Sequence, residues 1–205
     1  MSLAATLDAA CAKGKLSRSP IGELDKSCCT ESTLEVFDLD TYAHSLGGVT
    51  PATTDGARCD AVKGMDLLSL LEMKGLRDTE LNFHHQVCPK TKRGATPAET
   101  TRLCLERYQE FLDAKIQSLR LADKLKGSLI VLEGLYPALS QDFSQEKLSG
   151  RYLLIVNFSY REIINHRYAF RTALKPLAAA HWGEPDVLPC DIVNNEESFH
   201  QFLGA

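Results

Sequence analysis

Three absences narrow the field before any motif is read. No run of eighteen or more apolar residues occurs in the 205-residue chain, so no transmembrane helix is expected. No Cys-x-x-Cys pair occurs among the cysteines at 11, 28, 29, 59, 88, 104 and 190, which leaves out zinc ribbons and thioredoxin-type motifs. A positive excess is missing too. There are 23 Lys+Arg against 27 Asp+Glu, a net charge of -4, which taken alone disfavours a nucleic-acid partner. The N-terminus has neither a basic stretch nor a long apolar core, unlike a secretory signal. The odd cysteine count reads as reduced thiols, and so as a cytoplasmic protein. Internal repeats and low-complexity tracts are absent as well. What is present is 44% hydrophobic and 24% charged residues, ordinary globular composition. The length suits a single domain, 1–205.

The pattern along the chain predicts a short helix at 3–12 and another at about 20–29, a helical N-terminal segment 1–33. Residues 34–40 alternate apolar and polar and read as a strand, with Asp38 and Asp40 on one face. Two strand-like runs, 57–62 and 67–74, flank a glycine-containing turn and predict a β-hairpin. Residues 77–96 read as a polar loop. Thr96-Pro97-Ala98-Glu99 is a capped helix start, and the helix is expected to run to Lys126 and stop at Gly127. Strands are expected at 128–132 and 152–158, with a partly helical connection between them. A helix over 159–181 and a short one near 196–202 follow. The order points to an α/β fold with a mixed central β-sheet flanked by helices.

Chemistry concentrates at the second run of the hairpin. Glu72 and Lys74 lie two apart at the end of a leucine-rich strand and so share a face. Asp60, on the preceding strand, can come beside them if the register allows. Two carboxylates can hold Mg²⁺ (or Mn²⁺) through oxygen ligands, and a nearby amine can offset charge on a phosphate.

Asp60, eleven intervening residues, then Glu72-Met73-Lys74 resembles the PD-(D/E)xK nuclease superfamily. The resemblance implies a restriction-endonuclease-like fold, with a nuclease-like core at about 34–180. It implies hydrolysis of phosphodiester bonds in DNA, before RNA, with Asp60 and Glu72 as metal ligands. The Met73 carbonyl would be a further ligand and Lys74 the catalytic lysine. Cys59 stands where the name-giving proline would be. Glu23 or Glu31 would be the accessory acid ahead of the meander, and Gln109 or Gln117 the glutamine of the following helix. An acidic-x-Lys triplet is a short motif; Asp113-Ala114-Lys115 also matches, inside a predicted helix. The alternatives are a catalytically inactive nuclease-fold module for binding or regulation, and an unrelated α/β domain.

Basic residues are unevenly spread. Lys90, Lys92 and Arg93 follow the proposed site, and Arg151, Arg161, Arg167, Arg171 and Lys175 crowd one later stretch with Tyr160 and Tyr168 between them. Such a stretch suits contact with phosphates and stacked bases, and whole-chain charge therefore does not exclude DNA. A homodimer is left open. His84, His85 and Cys88 read as a polar loop rather than a metal site, Cys28-Cys29 as free thiols, and His166 as a surface residue.

Overall fold

The computed structural model describes residues 2–48, 50–75, 96–157 and 186–204, apart from some side chains between 97 and 112. It contains six strands: β1 (Arg18–Pro20), β2 (Glu35–Asp38), β3 (Gly56–Val62), β4 (Met65–Gly75), β5 (Leu148–Asn157) and β6 (Asp186–Pro189). The helices are α1 (Leu3–Ala12), α2 (Ile21–Leu24), α3 (Leu39–Ser45), α4 (Pro97–Ser118), α5 (Leu121–Leu135), α6 (Leu139–Ser144), α7 (Cys190–Asn194) and α8 (Glu196–Leu203).

The strands form one sheet in the order β1-β2-β3-β4-β5-β6. Pairing is antiparallel from β1 to β4 and parallel from β4 through β6. The expected mixed sheet with flanking helices is therefore present. Among the described residues, no helix is long and apolar enough to cross a membrane.

Both faces of the sheet are covered, which is why β4 and β5 read as nearly continuous apolar runs. On one face Leu68, Leu70, Tyr152 and Leu154 pack with Leu3 and Leu7 of α1 and Leu132 of α5. On the other, Leu71, Met73, Leu153 and Ile155 pack with Ile21, Val193 of α7 and Phe199 of α8. Each such fully buried side chain contributes roughly 1.5–3 kcal/mol relative to exposure.

The hairpin turns tightly on Lys63 (φ 51°) and Gly64 (φ 86°), pairing Val62 with Met65. Two central residues with positive φ match the right-handed twist of the strands.

Several expectations are corrected. Residues 128–132, expected as a strand, lie inside α5. The expected helix 97–126 is two helices, broken at Arg120 in the left-handed region (φ 50°), and Gly127 does not end the second. Strand β2 stops at Asp38, which caps α3 by accepting from the Thr41 N–H at 2.9 Å; Asp40 is helical, so the two do not share a strand face. Within the N-terminal segment expected to be helical, 18–20 form edge strand β1 and the second helix is only Ile21–Leu24. The loop and helix expectations for 77–95 and 159–181 lie outside the described residues.

Gly127 marks a close approach. A Cβ there would lie 1.9 Å from the Ala52 carbonyl oxygen. Beside it, Ser128 Oγ accepts from the Thr54 N–H at 2.8 Å and lies 3.0 Å from Thr54 Oγ1. Helix α5 is thereby docked against the loop that leads into β3.

Candidate active site

That docked loop carries Asp55, which precedes β3. Gly56 pairs with Leu71, so Asp55 comes level with Glu72 across the hairpin. Its Oδ2 accepts from the Met73 N–H at 2.7 Å. Lys74 Nζ lies 2.9 Å from Glu72 Oε1 and 3.9 Å from Asp55 Oδ2. Lys124, one turn into α5, donates to the same Glu72 Oε1. Two carboxylates and two ammonium groups thus meet beside the end of β4.

Glu72 is fully buried, and its Oε2 has no hydrogen-bond partner among the described residues. Burial, then the neighbouring Glu72 charge, pushes the Asp55 carboxyl up to about 6. Burial alone would lower the Lys74 amine, but the Asp55 and Glu72 carboxylates outweigh it and hold it above its ordinary value. Lys74 is therefore protonated at neutral pH. The buried Tyr152 hydroxyl is raised well above its usual range by desolvation and then by Glu72, so it stays neutral.

The structure does not bring Asp60 to this place. Asp60 pairs with Leu67, five rungs from Glu72 or roughly 17 Å along the strand. It also points to the opposite face, because Glu72 alternates with Leu71, whose face Leu67 shares. There the Arg58 Nε donates to both Asp60 oxygens, at 2.8 and 2.7 Å. Asp55 is the acid that stands in the position expected of Asp60.

Met73 lies between Glu72 and Lys74, beside Asp55. Its N–H points toward Asp55, and a residue's N–H and carbonyl face the same side of a strand. Strand β3 begins opposite Leu71, so no β3 residue pairs with Met73 on that side.

Of the accessory candidates, Glu23 lines a cleft of about 210 Å³ together with Asp38, Asp40, Thr41 and Asp55. Glu31 is exposed in the turn after Cys29 and is not part of that lining. Gln117 is exposed near the end of α4, while the side chain of Gln109 on the same helix lies outside the described residues. Lys90, Lys92, Arg93, Arg161, Arg167 and Arg171 also lie outside them, as do His84, His85, Cys88 and His166.

Two functional candidates were not found by motif reasoning. Asp55 follows from the register only once the turn is known to be the two residues Lys63–Gly64, where the sequence pattern suggested four, 63–66. Lys124 had no local signal, because its approach to Glu72 depends on the helix break at Arg120. Compared with known proteins, the chain matches no family model, no curated protein and no solved structure at a significant level.

Proposed function

We propose that the protein is a metal-dependent nuclease hydrolysing phosphodiester bonds in DNA, with Asp55, Glu72, Lys74 and Lys124 as its working groups. The observation that carries this reading is the meeting of Asp55, Glu72 and Lys74 at one point beside the end of β4. The element order supports it: an antiparallel meander β2-β3-β4, helices, then β5 parallel to β4, as the restriction-endonuclease-like fold requires.

The residues present suit Mg²⁺ or Mn²⁺. Asp55 and Glu72 would hold the ion, with the Met73 carbonyl beside them; Glu72 Oε2, which has no hydrogen-bond partner among the described residues, is an oxygen such an ion can take. A divalent cation there would stabilise charge on a phosphate and lower the pKa of a bound water. Protonated Lys74 cannot take a proton, so it orients and neutralises an anionic oxygen. Lys124 holds Glu72 in place from the helix side. The basic residues at 90–93 and 161–171 are the proposed DNA contacts.

Cleavage of plasmid, linear and single-stranded DNA with Mg²⁺ or Mn²⁺ is the test. Asp55→Asn, Glu72→Gln and Lys74→Met are each expected to lower the rate at least ~100-fold, consistent with losing a charge-stabilising group. Asp60→Asn is expected to leave the rate of the folded protein unchanged. Metal-dependent cleavage that survives Asp55→Asn and Glu72→Gln sinks the assignment.

A second reading is an inactive module of the same fold that binds without cutting. It is favoured by the charge balance of the cluster, two carboxylates against two lysines, which is complete without an ion. DNA retained in a gel shift with no cleavage under any metal supports that reading.

A further inference from the structure

The opposite face of the sheet carries a second cluster. The sulfurs of Cys28, Cys29 and Cys190 all lie within 4.8 Å of one another. Cys28 and Cys29 follow α2, and Cys190 opens α7 directly after β6, 161 residues from Cys29. Cys28 and Cys29 are 1% and 2% exposed, in the core built on Met73, Ile155 and Leu188.

Three sulfurs can be satisfied in two ways. Cys29 and Cys190, with Cα atoms 5.3 Å apart, are placed as a disulfide pair. That bond uses two sulfurs and leaves the third, Cys28 Sγ, at 3.4 Å from Cys29 Sγ. A shared cation uses all three. Thiolates around one tetrahedral zinc lie about 3.8 Å apart, given a Zn–S distance of ~2.3 Å. The spread within 4.8 Å suits one ion; a multi-iron cluster, whose thiolates bind different metal atoms, needs them further apart. Asn194 Oδ1, 4.0 Å from Cys190 Sγ, is the oxygen on hand for a fourth position that water can otherwise fill. Cys28 Sγ also lies 3.8 Å from the Ile155 carbonyl oxygen, to which its thiol donates.

We propose that Cys28, Cys29 and Cys190 together bind one thiophilic d¹⁰ cation, zinc, which ties the segment after α2 to the start of α7. The site forms in the reduced chain: a dithiol reductant supplies the two electrons and two protons that convert the Cys29–Cys190 disulfide to thiols and is itself oxidised to a disulfide, and each of the three thiols then releases its proton to solvent as the ion binds. The site lies across the sheet from Asp55 and Glu72, and it takes a soft ion rather than Mg²⁺.

The full chain, reduced and desalted without oxygen, is titrated with Co²⁺ and then Zn²⁺. The expected result is one equivalent of Co²⁺ with thiolate charge-transfer and visible d–d bands, displaced by Zn²⁺. Cys28→Ser and Cys190→Ser should each weaken binding beyond the ~10–100-fold that losing an outer-shell bond costs. The Cys11→Ser, Cys59→Ser, Cys88→Ser, Cys104→Ser combination should bind as the parent does. X-ray absorption of the zinc-loaded parent, which needs no variant to fold, should count three sulfur neighbours. No Co²⁺ bands in the reduced parent, undiminished affinity in Cys28→Ser, or a zinc shell with fewer than three sulfurs overturns the proposal. A Cys29–Cys190 disulfide whose reduction creates no metal site overturns it as well.

Discussion

The Met73 N–H donates to Asp55 Oδ2 at 2.7 Å, so the strand that bears Glu72 and Lys74 also holds the acid facing them. One backbone donor thereby sets the geometry of three side chains.

A pH dependence follows. Burial, then Glu72, raises the Asp55 carboxyl to about 6, above the usual ~4 for aspartate. A folded-state pKa raised in an acid means the folded form binds the proton more tightly. Stability therefore falls as pH rises through roughly 4 to 6, and Asp55→Asn removes that fall. Urea midpoints between pH 4 and 7 should show Asp55→Asn gaining on the parent, by at most about 3 kcal/mol at neutral pH. Parallel curves for the two proteins refute the burial of an ionised Asp55.

Lys124 and Glu72 are expected to be energetically coupled. Lys124→Met leaves the fully buried Glu72 with Lys74 alone. The single variant should lose about 2–4 kcal/mol, while Glu72→Gln with Lys124→Met should lose less than the two singles together. A double-mutant cycle should give a coupling of about 1–3 kcal/mol. Strict additivity rules the contact out.

Asp60 is expected to matter for stability and not for chemistry. The Arg58 side chain is 16% exposed and Asp60 13%, with Arg58 Nε bonded to both carboxylate oxygens. Asp60→Asn weakens that pairing and should cost about 1–3 kcal/mol, read from thermal unfolding. Loss of cleavage in protein that remains fully folded contradicts the placement.

The seam between α5 and the Asp55 loop tolerates no extra atom. Gly127→Ala forces a methyl against the Ala52 carbonyl and should cost about 1–3 kcal/mol, with Tm falling about 2–4 °C per kcal/mol. Ser128→Ala strands the buried Thr54 N–H and should cost about 1–3 kcal/mol. An unchanged Tm in Gly127→Ala argues against this packing.

Strands β2 to β5 and the Glu72–Lys74 pair were readable because alternation and turn chemistry are local; β1 and β6, three and four residues long, carry too short a pattern and were not read. The identity of the first acid was not read correctly, since Asp60 satisfies a spacing rule but fails on register. Counting back from Lys63–Gly64 pairs Val62 with Met65 and brings Asp55 level with Glu72. The run 128–132 misled for a different reason: a short apolar stretch has no period to separate strand from helix, and its helical state follows from docking at Gly127 and Ser128. The cysteine cluster joins residues 161 apart in sequence, and no spacing motif reaches that far.

Gly75 and Asn157 are ladder partners, so β4 and β5 finish on the same rung of the parallel pair. The stretches that follow, with Lys90 to Arg93 and Arg161 to Arg171, therefore take off from neighbouring points beside Lys74. Whatever residues follow Gly75 and Asn157 thus start side by side, at the edge where Asp55, Glu72 and Lys74 meet. One rung of backbone pairing in this way fixes the starting points of two segments that are far apart in sequence.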